Sequence, residues 1–155
     1  MQNINTKPEE QILVIFGATG DLGKRKLIPA LYALDMLNLL PEKFAILGAG
    51  RSAMDDDSFR DTMTEALKSF SKEDNKSGFL SFVNKIYYAK ADPKEEDSFS
   101  DLAGKLEFIR KQYSFARENI IFYLSTPPAL YRVIPERLAA AGLNKEDNGW
   151  KRLVI

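Results

Sequence analysis

The chain contains no cysteine and no histidine. Without cysteine it forms no disulfide and offers no thiolate to a metal ion. Without histidine it lacks the usual general base near neutral pH and the commonest zinc ligand. It also lacks net charge, since 22 basic residues balance 22 acidic ones. That balance argues against general binding to nucleic acid or to a membrane surface, both of which draw on a basic excess. No apolar run approaches the roughly 20 residues of a membrane span. The opening MQNINTKPEEQ is polar and has no apolar signal region. A cytoplasmic location is the simplest expectation.

What is present suits one compact soluble domain. The 155 residues are 45% hydrophobic and 28% charged, enough for a real core with an ordinary surface. No internal repeat or low-complexity segment stands out. Residues 1–10 read as a flexible tail and residues 11–155 as the folded unit. QILVIF (11–16) is a short apolar run of the kind buried on both faces of a parallel sheet. FAIL (44–47), IYYA (86–89), IIFYL (120–124) and KRLVI (151–155) read as four further strands.

Helical spacing lies between these runs. In 26–40 it puts Leu27, Leu31, Leu34 and Leu37 on one stripe, with Pro29 marking a kink or the true start. A second helix begins among Asp55, Asp56 and Asp57 and turns Phe59, Met63, Ala66, Leu67 and Phe70 inward. SKEDNKSG (71–78) reads as a polar linker. Phe99, Leu102, Leu106, Ile109 and Tyr113 mark another amphipathic helix, and 129–143 a last one, with Pro135 awkward inside it. Strands and helices therefore alternate. This order predicts an α/β fold, a doubly wound, Rossmann-like parallel sheet of about five strands with helices on both faces.

The most informative stretch is GATGDLGKRKL (17–27). Gly17, Gly20 and Gly23 follow a strand and precede a helix. In that context one glycine allows a tight turn, another a close approach of backbone to a diphosphate, and a third close helix–strand packing. Free N–H groups at the helix start then meet the anion. An ATP-type phosphate loop is excluded. Five residues rather than four separate Gly17 from Gly23, and Lys24 is followed by Arg25 instead of a magnesium-holding hydroxyl.

The second strand suggests which dinucleotide is read. NAD readers place an acid near its end, on the ribose 2′-OH. Here LGAGRS places Arg51 there, and a guanidinium suits a 2′-phosphate. A solvated loop charge is the plain alternative for Arg51. Ser52, Thr19 and Lys24 are candidate helpers. NADP is therefore favoured over NAD. Asp92 in KADP is placed either to contact the adenosine half or to cap a helix that has Pro93 at its first position. STPP (125–128) forms a stiff wall, with a cis bond one possibility. Tyr131 either faces the cofactor or packs in the core.

Three segments, VIFGATGDLGKRKLIPALYAL, LLPEKFAILGAGRS and IIFYLSTPPALY, together resemble the N-terminal coenzyme domain of the glucose-6-phosphate dehydrogenase family. The resemblance runs from about Ile12 to Ile155. It implies oxidation of glucose 6-phosphate to 6-phosphogluconolactone with hydride passed to NADP, in an enzyme expected to be homo-oligomeric at full length. By this resemblance Gly17, Ala18, Thr19, Gly20, Asp21, Leu22, Gly23 and Lys24 bind cofactor, and Arg51, with Ser52 beside it, holds the 2′-phosphate. Asp92 and Pro93 then lie near the adenine side and Tyr131 near the nicotinamide half. Gly23 departs from the family, which usually has alanine there. The resemblance also implies that the chain stops before the family's Glu-Lys-Pro segment and its catalytic domain. It then holds no catalytic residue or metal, binds NADP, and turns nothing over alone.

Two alternatives stay open on sequence. An extended short-chain dehydrogenase would share the GATGDLG turn but needs Tyr-x-x-x-Lys. The residues four beyond Tyr32, Tyr87, Tyr88, Tyr113, Tyr123 and Tyr131 are Met36, Ala91, Asp92, Arg117, Pro127 and Pro135. The other alternative is a non-enzymatic nucleotide-binding module.

Overall fold

The computed structural model describes residues 6–70 and 76–155. Five strands form one parallel sheet: β1 (Gln11–Phe16), β2 (Phe44–Gly50), β3 (Ile86–Lys90), β4 (Ile120–Leu124) and β5 (Lys151–Val154). Their spatial order is β3-β2-β1-β4-β5. β1 is central, with Val14 opposite Leu47 of β2 on one side and Phe122 of β4 on the other. The helices are α1 (Ile28–Met36), α2 (Asp56–Phe70), α3 (Lys76–Val83), α4 (Ser98–Tyr113) and α5 (Val133–Ala140).

Period-two alternation along the strands splits the core between two faces. Ile12, Val14 and Phe16 of β1 pack with Leu47, Phe122, and Phe99, Leu102, Leu106 and Ile109 of α4, and with Ile134 and Leu138 of α5. Ile15 of β1 faces the other way, toward Ile46, Ile28, Phe59, Met63 and Phe82. Helices thus cover both faces, as the alternating order predicts.

The departures have local causes. β2 runs three residues past the predicted FAIL, because Gly48, Ala49 and Gly50 keep partners on neighbouring strands. The stripe expected on α1 is buried only at its start. Leu27 and Leu31 pack on the core, whereas Leu34 and Leu37 are exposed. Helix α3 takes the remaining space, and Tyr32 of α1 packs on its Phe79 and Phe82 at 5.1 and 5.5 Å between ring centroids. Phe70, the last residue of α2, is also exposed. The predicted linker 71–78 overlaps α3 at residues 76–78, and its first five residues lie outside the described ones.

The prolines behave differently from one another. Pro29 is the second residue of α1, and the turn before it (Gly23–Leu27) widens into a π-helical turn closed by Ile28 N–H donating to the Gly23 carbonyl. The kink expected at Pro29 takes this form. Pro135 lies in the first turn of α5, where its missing N–H has no intrahelical partner to lose. The predicted 129–143 helix is divided into a 3₁₀ turn (Pro128–Leu130) and α5. The described residues contain no cis peptide bond, so the wall at Pro127 and Pro128 is trans.

The end of the expected tail is tied down. The Glu10 carboxylate accepts from the Ala116 and Arg117 N–H groups at 2.8 and 3.2 Å. Residues 1–5 of that expected tail lie outside the described residues. Buried Asn119 links the sheet's centre to its edge, donating to the Glu10 carbonyl and accepting from Trp150 N–H.

Gly48 is in β2 for packing. A Cβ there would overlap the ring of fully buried Phe59. Gly48→Ala should therefore cost about 1–3 kcal/mol through overpacking, read as a lower urea midpoint with an unchanged slope.

Candidate functional site

The turn after β1 is built from close backbone approaches. Gly17 adopts φ 77°, and its N–H donates to the Ala49 carbonyl at 3.0 Å. A Cβ on Gly17 would overlap the Ser125 carbonyl at the end of β4. Gly20 N–H donates to the Gly17 carbonyl at 3.0 Å and Lys24 N–H to the Gly20 carbonyl at 3.1 Å. A Cβ on Gly23 would overlap the Ala18 carbonyl. The glycine at this departure from the family is therefore more than a smaller residue: the turn has closed onto it. The N–H groups of Ala18 and Thr19 meet no protein acceptor among the described residues.

A crevice of about 360 Å³ opens at the C-terminal ends of β1 to β4, where the strand order reverses. That is where α/β sheets bind ligands. It gathers Gly17, Thr19, Gly20, Arg51, Asp92 and Pro93 from three separate connections. Sequence reasoning did not single out Lys94 or Gly50. Ser125, Thr126 and Pro127 supply the stiff wall expected of STPP.

The other named residues lie elsewhere. Ala18 is buried beneath the turn and Gly23 is packed inside it. Asp21 and Leu22 are exposed, and Asp21 pairs with Arg25 at 3.5 Å. Lys24 lines a separate depression with Ala66 and Phe70. Ser52 offers its carbonyl to the Tyr88 hydroxyl at 2.7 Å. Burial pushes the Tyr88 phenol above its ordinary range, so it stays a neutral donor. Tyr131 packs against the α4–α5 core.

Asp92 caps a turn rather than a helix, since α4 starts only at Ser98. Its carboxylate accepts from Lys94 N–H at 3.0 Å. Ser98 Oγ accepts from Asp92 N–H at 2.8 Å and lies 2.9 Å from the Asp92 carbonyl, to which it donates.

A phosphate-bearing nucleotide fits this donor set. Two amides of the turn, those of Ala18 and Thr19, are free, and the wall holds an enclosed hydroxyl, Thr126 Oγ1, without a protein partner. No group of three or more carboxylates placed to hold a metal occurs among the described residues.

Residues 14–155 match the family model described as glucose-6-phosphate dehydrogenase, NAD binding domain. The chain belongs to that family. It is 43% identical over 150 residues to the glucose-6-phosphate 1-dehydrogenase of Aggregatibacter actinomycetemcomitans, covering 96% of this chain and 30% of that protein. The same-named protein of Treponema pallidum is 43% identical over 146 residues, covering 93% of this chain and 28% of that one. A solved glucose-6-phosphate dehydrogenase in complex with its substrate glucose-6-phosphate matches with a TM-score of 0.83, over 97% of this chain and 31% of that chain. At 23% identity that likeness bears on the fold alone. The chain spans about 30% of the length of these relatives. Family membership decides against the short-chain dehydrogenase alternative, and the family domain is one that takes a nicotinamide dinucleotide. No helix among the described residues is long and apolar enough to cross a membrane.

The orphaned Thr126 hydroxyl has a measurable cost in the free protein. Thr126→Val keeps the shape and removes the unpaired oxygen, so stability should rise by about 1 kcal/mol. A lower melting temperature would show that the hydroxyl has a partner.

Proposed function

We propose that this chain binds NADP across the crevice, as the coenzyme-binding part of an enzyme that oxidises glucose 6-phosphate to 6-phosphogluconolactone. The observation that carries the NADP reading is Arg51. It follows β2 directly, where an NAD reader needs an acid, and it faces the crevice with no ion pair among the described residues. Its guanidinium offers paired donors to a 2′-phosphate.

The free N–H groups of Ala18 and Thr19 receive the diphosphate, and Gly17 and Gly20 shape the turn that presents them. Asp92 and Pro93 border the adenosine half, and Ser52 stands beside Arg51 at the rim. Gly23 holds the turn against the helix. Asp21, Leu22 and Lys24 act from outside the crevice, by shaping and charging the turn. Tyr131, partly buried against the α4–α5 core, is assigned to the nicotinamide half. Bound NADP would supply the hydride acceptor for the sugar's C1. This histidine-free chain lacks the usual base for the C1 hydroxyl proton. Turnover of glucose 6-phosphate and a homo-oligomeric state are proposed for the full-length enzyme and not for this chain alone, with neither nucleic acid nor a membrane as partner. The balanced charge is compatible with a cytoplasmic setting.

Calorimetric titration tests the reading. NADP should bind more tightly than NAD, and Arg51→Ala should lower NADP affinity about tenfold while leaving NAD nearly unchanged. Equal affinities unaffected by the substitution would remove the assignment. Mixed with glucose 6-phosphate and NADP, this chain should form no NADPH above the blank, and turnover would show that a base lies within it.

A further inference from the structure

Lys94 stands two residues past Asp92 on the connection after β3, and it lines the same crevice as Arg51 on the connection after β2. The two connections are joined at their roots, because Ala91 N–H donates to the Gly50 carbonyl at 2.8 Å. Both cations therefore project from neighbouring strand ends.

The surrounding charges are sorted so that these two stay uncommitted. Glu95 is held by Lys90 at 2.8 Å and Glu96 by Arg137 at 2.8 Å. The Asp92 carboxylate accepts from the backbone N–H of Lys94, not from its ammonium. Neither the Arg51 nor the Lys94 side chain has a hydrogen-bond or ion-pair partner among the described residues. The charged residues lining the crevice are Arg51, Lys94 and Asp92, so its formal charge is +1 with Lys94 and zero without it.

The backbone under Lys94 is also held in place. Pro93 is buried and its carbonyl accepts from Arg137 Nε at 2.9 Å. Ser98 Oγ ties the Asp92 backbone to the Glu95 carbonyl. The ammonium thus hangs from a rigid base, and ordering it costs side-chain entropy alone.

The geometry points to Lys94 as a second specificity determinant, pairing with Arg51 on the adenosine 2′-phosphate; this rests on the NADP reading above. A 2′-phosphate carries close to two negative charges, and one guanidinium fork balances about one. Lys94 supplies the other and offsets the repulsion from Asp92. A ribose hydroxyl gains nothing comparable from an ammonium, so Lys94 favours NADP without favouring NAD.

The test is a charge series, with NADP and NAD titrated into the wild-type chain, Arg51→Ala, Lys94→Gln and Lys94→Glu at low and moderate salt. Lys94→Gln should weaken NADP about fivefold, as expected for a solvent-exposed charge contact. Lys94→Glu should weaken it further, and neither should move NAD. The loss should shrink as salt rises. Melting temperatures should hold, because Lys94 is exposed. Lys111→Gln, on the last turn of α4, should change neither affinity. If Arg51→Ala lowers NADP affinity and Lys94→Gln does not, the inference falls and the NADP reading stands. An equal loss for both dinucleotides would place Lys94 on a shared group and overturn its role in specificity. If Arg51→Ala changes nothing, the NADP reading falls and this inference with it.

Discussion

The structure depends on one close approach, that of Gly17 to the strands on either side of it. Its N–H is held by Ala49 of β2, and its Cα lies against the Ser125 carbonyl beyond β4. Strand order reverses at this point, so the chain must leave β1 between two neighbours that diverge. Only a residue without Cβ, at positive φ, fits there. The crevice is the space left by that divergence. Its walls come from four connections that meet because their strands are parallel and end at one level.

Parallel pairing has a second consequence. Each strand must be covered on both faces, and the two sets of helices do this with large side chains facing opposite ways from β1. The sheet's two edges are treated differently. On β3, Arg60 Nε donates to the Ile86 carbonyl, and Asp56 accepts from Tyr88 N–H while holding Lys105 at 2.6 Å. Side chains of α2 thus occupy backbone groups that a free edge would present to another strand, and Lys105 of α4 braces one of them through Asp56. On β5, Leu153 and Val154 are exposed. The site lies toward the protected edge, where Arg51, Asp92 and Lys94 need a fixed backbone.

Much of this was legible in the sequence because the signals were strong and local. Short apolar runs marked four strands and KRLVI the fifth, and the 3.6-residue spacing marked α4 with its buried face. The glycine turn and Arg51 declared themselves by position relative to those strands. The rest depends on tertiary placement. KSGFLSFV did not read as a helix after so polar a lead-in, and α3 is held by aromatic contacts to Tyr32 that no local pattern reveals. Leu34 and Leu37 have perfect helical spacing but lie beyond the reach of the sheet. Lys94 carries no local signal that sets it apart from other lysines. Unlike Lys90 and Lys105, its ammonium pairs with no carboxylate among the described residues, and that is a property of the folded neighbourhood.

The basic run after the turn shows why position outweighs composition. Lys24, Arg25 and Lys26 follow Gly23 directly and would be the obvious partners for a diphosphate on charge alone. The π-helical turn rotates them away from the crevice: Lys24 lines the depression beside Phe70, and Arg25 pairs with Asp21. The groups left on the crevice side of the turn are the amides of Ala18 and Thr19. They are weaker than ammoniums one by one, but they are held in place before any ligand arrives and lose no side-chain entropy on binding. In the proposed NADP complex, mobile cations are then better placed at the adenosine end. There a single phosphate group separates NADP from NAD, and added charge improves discrimination instead of tightening both alike.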